Sequence, residues 1–495
     1  MSPDIAAATA AELAQAIRDR QLSSRELLGA LLARAERVNP ALNAIVAWDV
    51  ERAMVRAKAA DDAIAHGEHA GPLHGLPMTV KDTWETAGLV TTSGAAEFAG
   101  NVPAADALGV SRLRQAGAII FGKTNTPAYA GDWQTYNDLY GRTSNPWDLS
   151  RTAGGSSGGA AAAVAAGMTP LEFGSDIGGS IRNPSHFNGV YGLKPSWGVV
   201  PVRGHIPGPP GSLLTVDVGV AGPIARSVAD LQTAFGLLAG PLPEDAAAWR
   251  LDFDPGADLT DVHGLRVASF LGEGGEVLPI ARDARASLDT FAARLSAAGV
   301  RLDEAHLPVA LSDGLATWRD VTMPILGAGM PDAEFATIAA LEDMSGDDPV
   351  LMTRRAMAGR FRDVLAATER RQRQRTAWAE FFRHYDAALA PVMPVAAFPH
   401  DTDRPIEERL IDVDGVAISH QTAAAWLCAI GVVLLPVVTL PTGLTKRGLP
   451  VGIQVVGPFL TDLRLLRIAE LLDAAGGAGY KPPPLADDQP IASTG

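Results

Sequence analysis

The chain has 495 residues, with 41 Lys and Arg against 56 Asp and Glu, which gives a formal net charge of −15 at pH 7. Nucleic acids and anionic membranes are themselves negative, so this charge disfavours both as partners. Hydrophobic residues make up 47% of the chain and charged residues 20%, which is typical of an ordinary globular interior. The single cysteine, Cys428, excludes an intrachain disulfide and a cysteine-based metal cluster.

The basic residues are unevenly divided, with 35 arginines and only six lysines. Arginine stays protonated, whereas a buried lysine can lose its proton and act as a base. Each lysine is therefore a candidate for a role in catalysis, such as that of a base. The alternative is a composition bias that left a few lysines at random positions. The six are Lys58, Lys81, Lys123, Lys194, Lys446 and Lys481.

The elements follow a simple order along the chain. Apolar residues at three- and four-residue spacing predict helices through residues 6–65, one of them starting near Ser23. Residues 71–222 are rich in glycine and proline turns around short apolar runs. After Pro223 helices and strands alternate, which favours an α/β fold with helices on both faces of a sheet. The individual predictions are helices over 159–166, 227–238, 282–298 and 349–382, and a strand over 264–271.

The segment 421–444 carries no ionised side chain and is about long enough to span a bilayer. Gly431 and Pro436 divide it into a helical half and a β-branched half. We therefore interpret it as a buried helix followed by a central strand, and we expect no membrane association. The first residues lack a basic region leading into an apolar core, so we expect no secretory signal and a cytoplasmic protein.

Two short motifs match known patterns without the surroundings that those patterns need. Residues 117–124, GAIIFGKT, fit the phosphate-loop pattern, but bulky apolar residues fill its middle and a turn follows it, which favours a buried strand. Residues 154–158, GGSSG, fit the nucleophile elbow of α/β-hydrolases. That motif needs a strand before the serine and a histidine later in the chain, whereas 145–155 is predicted as loop and no histidine has a catalytic context.

Two glycine–serine clusters lie close together, GGSSGG at 154–159 and GSDIGGSIR at 174–182. Glycines beside a serine let the backbone approach a substrate and turn successive N–H groups toward one point, as acyl transfer requires for its oxyanion. A serine nucleophile also needs a base. Lys81 follows the apolar run 78–80, where burial would lower its pKa, so it is the candidate base. Flexible linkers with incidental serines are the alternative.

The longer segment 154–196 resembles the signature of the amidase signature family of serine hydrolases; it reads GGSSGGAAAAVAAGMTPLEFGSDIGGSIRNPSHFNGVYGLKPS. The similarity extends to GPLHGLPMTVKD at 71–82, GAIIFGKTNT at 117–126, residues 391–394 and GLPVGIQVVGPFLTD at 448–462. It covers nearly the whole chain and implies the α/β fold of that family, a large mixed β-sheet covered by helices on both faces. It also implies a single domain over 1–495, made of N-terminal helices (1–65), a catalytic core (71–222) and a remainder of sheet and pocket helices (223–495).

The resemblance implies a catalytic triad. Ser180 would be the acylated nucleophile, Lys81 the neutral base, and Ser156 the serine between them, joined to Gly155 by a cis peptide bond. The proton returned through Ser156 would go to the leaving amine, and water would then cleave the acyl-enzyme. No cofactor and no metal ion are implied. Because the base must be neutral, activity should rise with pH through a lowered lysine pKa.

The resemblance also implies supporting groups around the nucleophile. The oxyanion would be held by backbone N–H groups of Ile177, Gly178, Gly179 and Ser180. Asp176 and Arg182 would order this loop and set the electrostatics around the base. Candidates for the substrate pocket are Gly131, Trp133, Tyr136 and Gly155, together with Tyr129 and the segments 203–211 and 318–330. The aromatic residues among them suggest an apolar or aryl-tolerant pocket, although they could equally belong to the core.

We therefore expect an amidohydrolase for small aliphatic or aryl amides, including anilides, with esters or carbamates as secondary substrates. The main alternative is the A subunit of a tRNA-dependent amidotransferase, which has the same signature. The glycine- and tyrosine-rich pattern associated with that protein is missing after Arg370, and a charge of −15 offers little for tRNA. A non-enzymatic family member and a membrane-bound lipid amidase are further alternatives. The expected partner is a small-molecule amide; a homodimer is compatible with the sequence.

Overall fold

One mixed sheet of 11 strands runs through the computed structural model, which describes residues 4–206, 211–272, 278–330, 332–340 and 349–486. With the helices that accompany it, this sheet confirms the predicted α/β fold class. Residues 207–210 of the predicted pocket segment 203–211 lie outside the described residues.

The strands are β1 (Ile45–Trp48), β2 (Pro77–Lys81), β3 (Ile119–Thr124), β4 (Tyr136–Asn137), β5 (Gly141–Arg142), β6 (Ser144–Asn145), β7 (Asp148–Thr152), β8 (Leu171–Asp176), β9 (Tyr191–Lys194), β10 (Val220–Ala225), β11 (Arg266–Ser269), β12 (Arg301–Glu304), β13 (Ala387–Pro391), β14 (Leu410–Val413), β15 (Val416–Ser419), β16 (Val437–Leu444) and β17 (Pro450–Val456). The helices are α1 (Ala10–Arg18), α2 (Ser24–Leu42), α3 (Val50–Ala65), α4 (Leu108–Gln115), α5 (Gly158–Ala165), α6 (Arg182–Asn188), α7 (Val228–Leu238), α8 (Arg282–Ala297), α9 (Leu311–Gly327), α10 (Asp332–Ala339), α11 (Pro349–Met357), α12 (Phe361–Phe381), α13 (His420–Ala423), α14 (Ala425–Val432) and α15 (Asp462–Gly476). Short 3₁₀ turns occupy Ala96–Phe98, Ala128–Ala130, Ile406–Glu408 and Pro484–Ala486.

The large sheet has the strand order β1-β3-β2-β8-β10-β9-β16-β17-β13-β11-β12. Strands β2 and β8 are parallel neighbours, so their carboxyl ends lie at the same edge of the sheet. Lys81 is the last residue of β2 and Asp176 the last of β8. The sheet thus brings the candidate base and the second glycine–serine cluster to one edge, where ligands commonly bind in α/β proteins.

The hairpin β16–β17 lies inside the large sheet rather than at its border. Strand β16 pairs with β9 on one side, and β17 pairs with β13 on the other. The strands from β1 to β10 that belong to this sheet therefore contact β11, β12 and β13 through this hairpin.

The N-terminal region is less helical than its periodicity predicts. Helix α2 begins after Ser23, as predicted, and the side chains of Ser23 and Glu26 form a capping box there. It ends at Leu42, and the next residue, Asn43, has a left-handed backbone with φ of 53°. The prediction of helices throughout 6–65 is wrong at Ile45–Trp48, which forms β1 and pairs with β3; this strand begins with two β-branched residues, Ile45 and Val46.

The segment 421–444 forms the predicted buried helix and central strand, α14 and β16. In the described part of the chain, none of the helices has the length and apolar character that crossing a membrane requires. The helix predicted over 349–382 is divided in two, because Gly359, a poor helix former, separates α11 from α12. The other predicted helices and the strand at 264–271 are present, with boundaries shifted by one or two residues.

The two misleading motifs also have clear structures. Residues 119–124 of the phosphate-loop match form the buried strand β3, and the ammonium group of Lys123 donates to the Thr86 hydroxyl at 3.0 Å. The segment before the serine of the elbow match is not wholly loop, since Asp148–Thr152 forms β7. That strand pairs with β6 in a separate small hairpin, so it does not present the serine at the edge of the large sheet as a nucleophile elbow would.

Candidate active site

Lys81 is fully buried at the end of β2, with its ammonium nitrogen between two serine hydroxyls. Its Nζ lies 2.7 Å from Ser156 Oγ and 3.0 Å from Ser175 Oγ. Burial lowers the pKa of Lys81 from 10.5 to about 7, although the negative charges of Asp176 and Glu172 oppose this shift. A large fraction of the amine is therefore neutral at pH 7, as a general base requires.

The first glycine–serine cluster is held tightly against its neighbours. The peptide bond between Gly155 and Ser156 is cis. A Cβ on Gly154, whose φ is +80°, would lie 2.9 Å from Pro184 Cα, and a Cβ on Gly155 would lie 2.6 Å from the Asp132 carbonyl oxygen. Only glycine fits at these two positions, and Gly155 faces protein backbone at this point.

The two clusters are joined by a hydrogen bond between their backbones. The N–H of Ser157 donates to the carbonyl of Ser180 at 3.1 Å. This contact places Ser180 beside the residue that follows Ser156. Both Ser156 and Ser180 are buried, with 1% and 5% of their surface exposed.

The loop before Ser180 presents unpaired backbone donors. In the described part of the chain, the N–H groups of Ile177, Gly178 and Ser180 have no protein acceptor. The N–H of Gly179 differs from the prediction, because it donates to the Asp176 carboxylate at 2.8 Å. The left-handed φ of +110° at Gly179 lets the chain turn in this way. Three of the four predicted oxyanion donors thus remain available to a ligand.

A buried ion pair fixes this loop. Arg182 contacts Asp176 through Nη2 and Nε, at 2.9 and 3.0 Å, in a bidentate arrangement. Burial would raise the pKa of Asp176, but the Arg182 guanidinium outweighs it and holds that pKa at about 2. The remaining nitrogen of Arg182 donates to the Leu427 carbonyl and to Gln454 Oε1, each at 2.9 Å. The charged pair predicted around the nucleophile therefore links β8 to α14 and β17.

Two tryptophans bind the carbonyl groups of the same loop. Trp133 Nε1 donates to the Gly178 carbonyl at 2.7 Å, and Trp318 Nε1 donates to the Ile177 carbonyl at 2.9 Å. The Ile177 carbonyl belongs to the same peptide unit as the N–H of Gly178, so the indole of Trp318 fixes the direction of that donor. The two rings lie 6.1 Å apart. Trp133 thus contacts the loop before the candidate nucleophile and supports it.

The other predicted pocket residues have different contacts. The Tyr136 hydroxyl accepts a hydrogen bond from Arg409 at 2.6 Å, and Arg409 also pairs with Asp132. Tyr129 is 41% exposed and contacts Phe98 edge to face. Gly131 ends the short 3₁₀ turn at Ala128–Ala130. Of the predicted loop aromatics, the structure brings Trp133 to residues 177–180, which are called the oxyanion loop below.

Sequence reasoning missed two residues next to the base. Ser175 precedes Asp176 in the second cluster, and its Oγ lies 2.9 Å from His205 Nε2. Burial, together with the positive charges of Lys81 and Lys123, lowers the pKa of His205 to about 3, so this imidazole is neutral at pH 7. Ser175 could have been found from its place in the cluster. His205 lies in the predicted pocket segment 203–211, but nothing in the sequence signals its contact with Ser175. Among the described residues, no group of three or more His, Cys, Asp and Glu could hold a metal ion.

Comparison with known proteins identifies the family to which this chain belongs. The Amidase family model matches residues 26–466. The chain is 34% identical to an acylamidase from Rhodococcus erythropolis, with 98% of this chain and 97% of the relative covered. It is also 34% identical to the A subunit of the Glutamyl-tRNA(Gln) amidotransferase from Acidothermus cellulolyticus, with 95% of each covered. A solved bacterial aryl acylamidase of the amidase signature family superposes with a TM-score of 0.82, at 25% identity and covering 99% of this chain and 100% of the other. The chain belongs to the amidase signature family and is an amide-hydrolysing enzyme.

Proposed function

We propose that this enzyme hydrolyses small aliphatic or aryl amides through Ser180, Ser156 and Lys81, without a partner protein. The observation that carries the proposal is the 2.7 Å contact between buried Lys81 and Ser156. A lysine with a pKa of about 7 and a serine in contact form the activated pair that a hydroxyl nucleophile needs.

In the proposed acylation step, neutral Lys81 takes the proton of Ser156 while Ser156 takes the proton of Ser180. The oxygen of Ser180 attacks the amide carbon, and the carbonyl oxygen becomes an oxyanion. The N–H groups of Ile177, Gly178 and Ser180 are free to hold it. Donors fixed in advance toward a developing charge lower the barrier without any reorganisation cost during the reaction.

The intermediate then collapses with cleavage of the carbon–nitrogen bond. Lys81 returns the proton through Ser156 to the leaving nitrogen, so the product departs as a neutral amine. Water attacks the acyl-enzyme by the reverse of the same proton path, which releases the acid and restores Ser180. Proton transfers of this kind contribute roughly 10²- to 10⁴-fold to a rate.

The proposed preference for small aliphatic and aryl amides rests on similarity to a known enzyme. Trp133 and Trp318 bind the carbonyl groups of the oxyanion loop and are only 8% and 7% exposed, so the structure gives them a supporting contact. The similarity to an acylamidase over 98% of this chain supports the same substrate class. Esters and carbamates have the same carbonyl geometry and are proposed as secondary substrates.

The A subunit of an amidotransferase is the second candidate, favoured by the 34% identity to one such protein. The net charge of −15 speaks against a tRNA-bound assembly. The purified chain alone should hydrolyse an anilide such as acetanilide. Hydrolysis that requires added partner proteins, or ammonia transfer in place of hydrolysis, would favour the second candidate.

The nucleophile is tested by intact mass after treatment with a serine-directed fluorophosphonate. Wild type should gain one adduct and lose anilide hydrolysis, and Ser180→Ala should gain none. Ser296 lies exposed on α8 and donates only to the Ala292 carbonyl, so Ser296→Ala is the matched control and should label like wild type. An adduct that survives Ser180→Ala would overturn the assignment of Ser180.

A further inference from the structure

A chain of hydrogen-bonding groups continues beyond the proposed base. Lys81 Nζ lies 3.0 Å from Ser175 Oγ, and Ser175 Oγ lies 2.9 Å from His205 Nε2. His205 is held in place because its backbone forms a bridge with Trp84, and its ring packs against the Trp84 ring at 4.5 Å. The imidazole is therefore fixed at the far end of this chain, away from Ser156.

The direction of these hydrogen bonds matters for catalysis. A neutral lysine amine has two N–H donors and one lone pair, and the lone pair must face Ser156 if Lys81 is to take its proton. The Ser175 hydroxyl can accept from Lys81 or donate to it. If Ser175 donates to Lys81, it occupies the lone pair that Ser156 needs.

His205 decides between these two arrangements. Its neutral ring can accept at Nε2 while Nδ1 carries the proton. Ser175 then donates to His205, and its oxygen is left to accept an N–H from Lys81. The acidic side chains that act on Lys81 are Asp176 and Glu172, and burial keeps Glu172 largely protonated at pH 7 by raising its pKa to about 8. The titratable groups that act on His205 are Lys81 and Lys123, so among the described residues no acid favours its protonation.

We propose that His205 is a positioning residue, which accepts the Ser175 hydroxyl proton in a hydrogen bond and so keeps the lone pair of Lys81 directed at Ser156. No proton is transferred to His205 in this scheme. The proposal rests on the proposed role of Lys81 as the base.

A double-mutant cycle on the full chain separates this role from simple packing. His205→Phe keeps a ring against Trp84 but removes the acceptor. It should lower kcat/KM for acetanilide about tenfold, the factor that corresponds to one misdirected hydrogen bond, with KM changed less than about twofold. Ser175→Ala removes the competing hydroxyl, so adding His205→Phe to it should change kcat/KM by less than about twofold. His205→Gln, which keeps an acceptor oxygen, should restore most of the activity.

The outcomes are distinct. Equal losses from His205→Phe in the wild-type and Ser175→Ala backgrounds would show a packing role only and overturn the proposal, as would full activity of His205→Phe. If His205→Phe does not fold, as judged by thermal unfolding, His205→Leu takes its place in the same cycle. The proposed function is tested separately, because anilide hydrolysis by wild type and its loss in Ser180→Ala do not depend on any His205 variant.

Discussion

Replacing Lys81 with methionine should abolish amide hydrolysis and at the same time stabilise the fold at acidic and neutral pH. The pKa of this lysine falls from 10.5 to about 7 when the chain folds around it, mainly because of burial. Below pH 7 the amine is protonated in both the folded and unfolded states, and the fold bears the whole cost of burying the charge. That cost is about 5 kcal/mol, from 1.36 kcal/mol for each pKa unit.

The sign of the effect follows from the two pKa values. As pH rises from 7 to 10.5 the folded state holds fewer protons than the unfolded state, so wild type becomes more stable. Above 10.5 the amine is neutral in both states and the cost is gone. Methionine is similar in shape but loses the contacts with Ser156 and Ser175, at about 1 kcal/mol each. Lys81→Met should therefore be about 3 kcal/mol more stable than wild type at pH 6 and about 2 kcal/mol less stable near pH 10.5.

Differential scanning calorimetry at these two pH values measures the difference. A protein of this length has an unfolding entropy of about 1 kcal/mol/K, so Tm should rise by about 3 °C at pH 6 and fall by about 2 °C near pH 10.5. Lys58→Met, at an exposed position of α3, is the control and should show no such reversal. A Lys81→Met variant that is less stable than wild type by the same amount at both pH values would refute the reasoning.

Three further predictions concern the loop and the base. In a pH–rate profile, kcat/KM limited by acylation should rise through about pH 7, because neutral Lys81 is the active form, and a profile that falls above pH 7 would contradict this. Trp133→Phe and Trp318→Phe each remove an indole donor to the oxyanion loop. Steady-state kinetics should therefore show a kcat about tenfold lower with little change in KM. An effect confined to KM would contradict a role in supporting the loop. Arg182→Met leaves the Asp176 carboxylate buried without its partner. The free energy of unfolding should fall by about 3–5 kcal/mol, which lowers Tm by about 3–5 °C. An unchanged Tm would contradict a stabilising role of the buried ion pair.

The parts of the site that the sequence predicts are those that local pattern determines. The glycines around Ser156 and Ser180 mark a backbone that must turn sharply, and the apolar run before Lys81 marks a strand end. The fold class follows from the alternation of helices and strands after Pro223. The scarcity of lysine also predicts unusual lysines, since Lys81, Lys123 and Lys194 are all fully buried and have lowered pKa values.

The parts that the sequence does not predict depend on contacts between distant residues. Trp318 binds a carbonyl 141 positions away, and His205 meets Ser175 across 30 positions. Which N–H groups of the loop stay free is also decided by tertiary structure, because the carboxylate of Asp176 turns back onto Gly179. The strand β1 was missed because four residues are too few to interrupt a helical pattern, and it exists only by pairing with β3.

The position of the hairpin β16–β17 has a consequence for the order in which the enzyme is made. The hairpin comes from residues 437–456, and it alone among the strands of the large sheet borders both β9 and β13. During synthesis, the earlier strands can form only two separate parts of the sheet, one ending at β9 and the other at β13. The two parts are joined when this late segment leaves the ribosome and inserts between them. Arg182, two residues after the proposed nucleophile, also cannot form its hydrogen bond to Gln454 until β17 has been synthesised. A nascent chain should thus carry all three proposed catalytic side chains well before it can cut an amide.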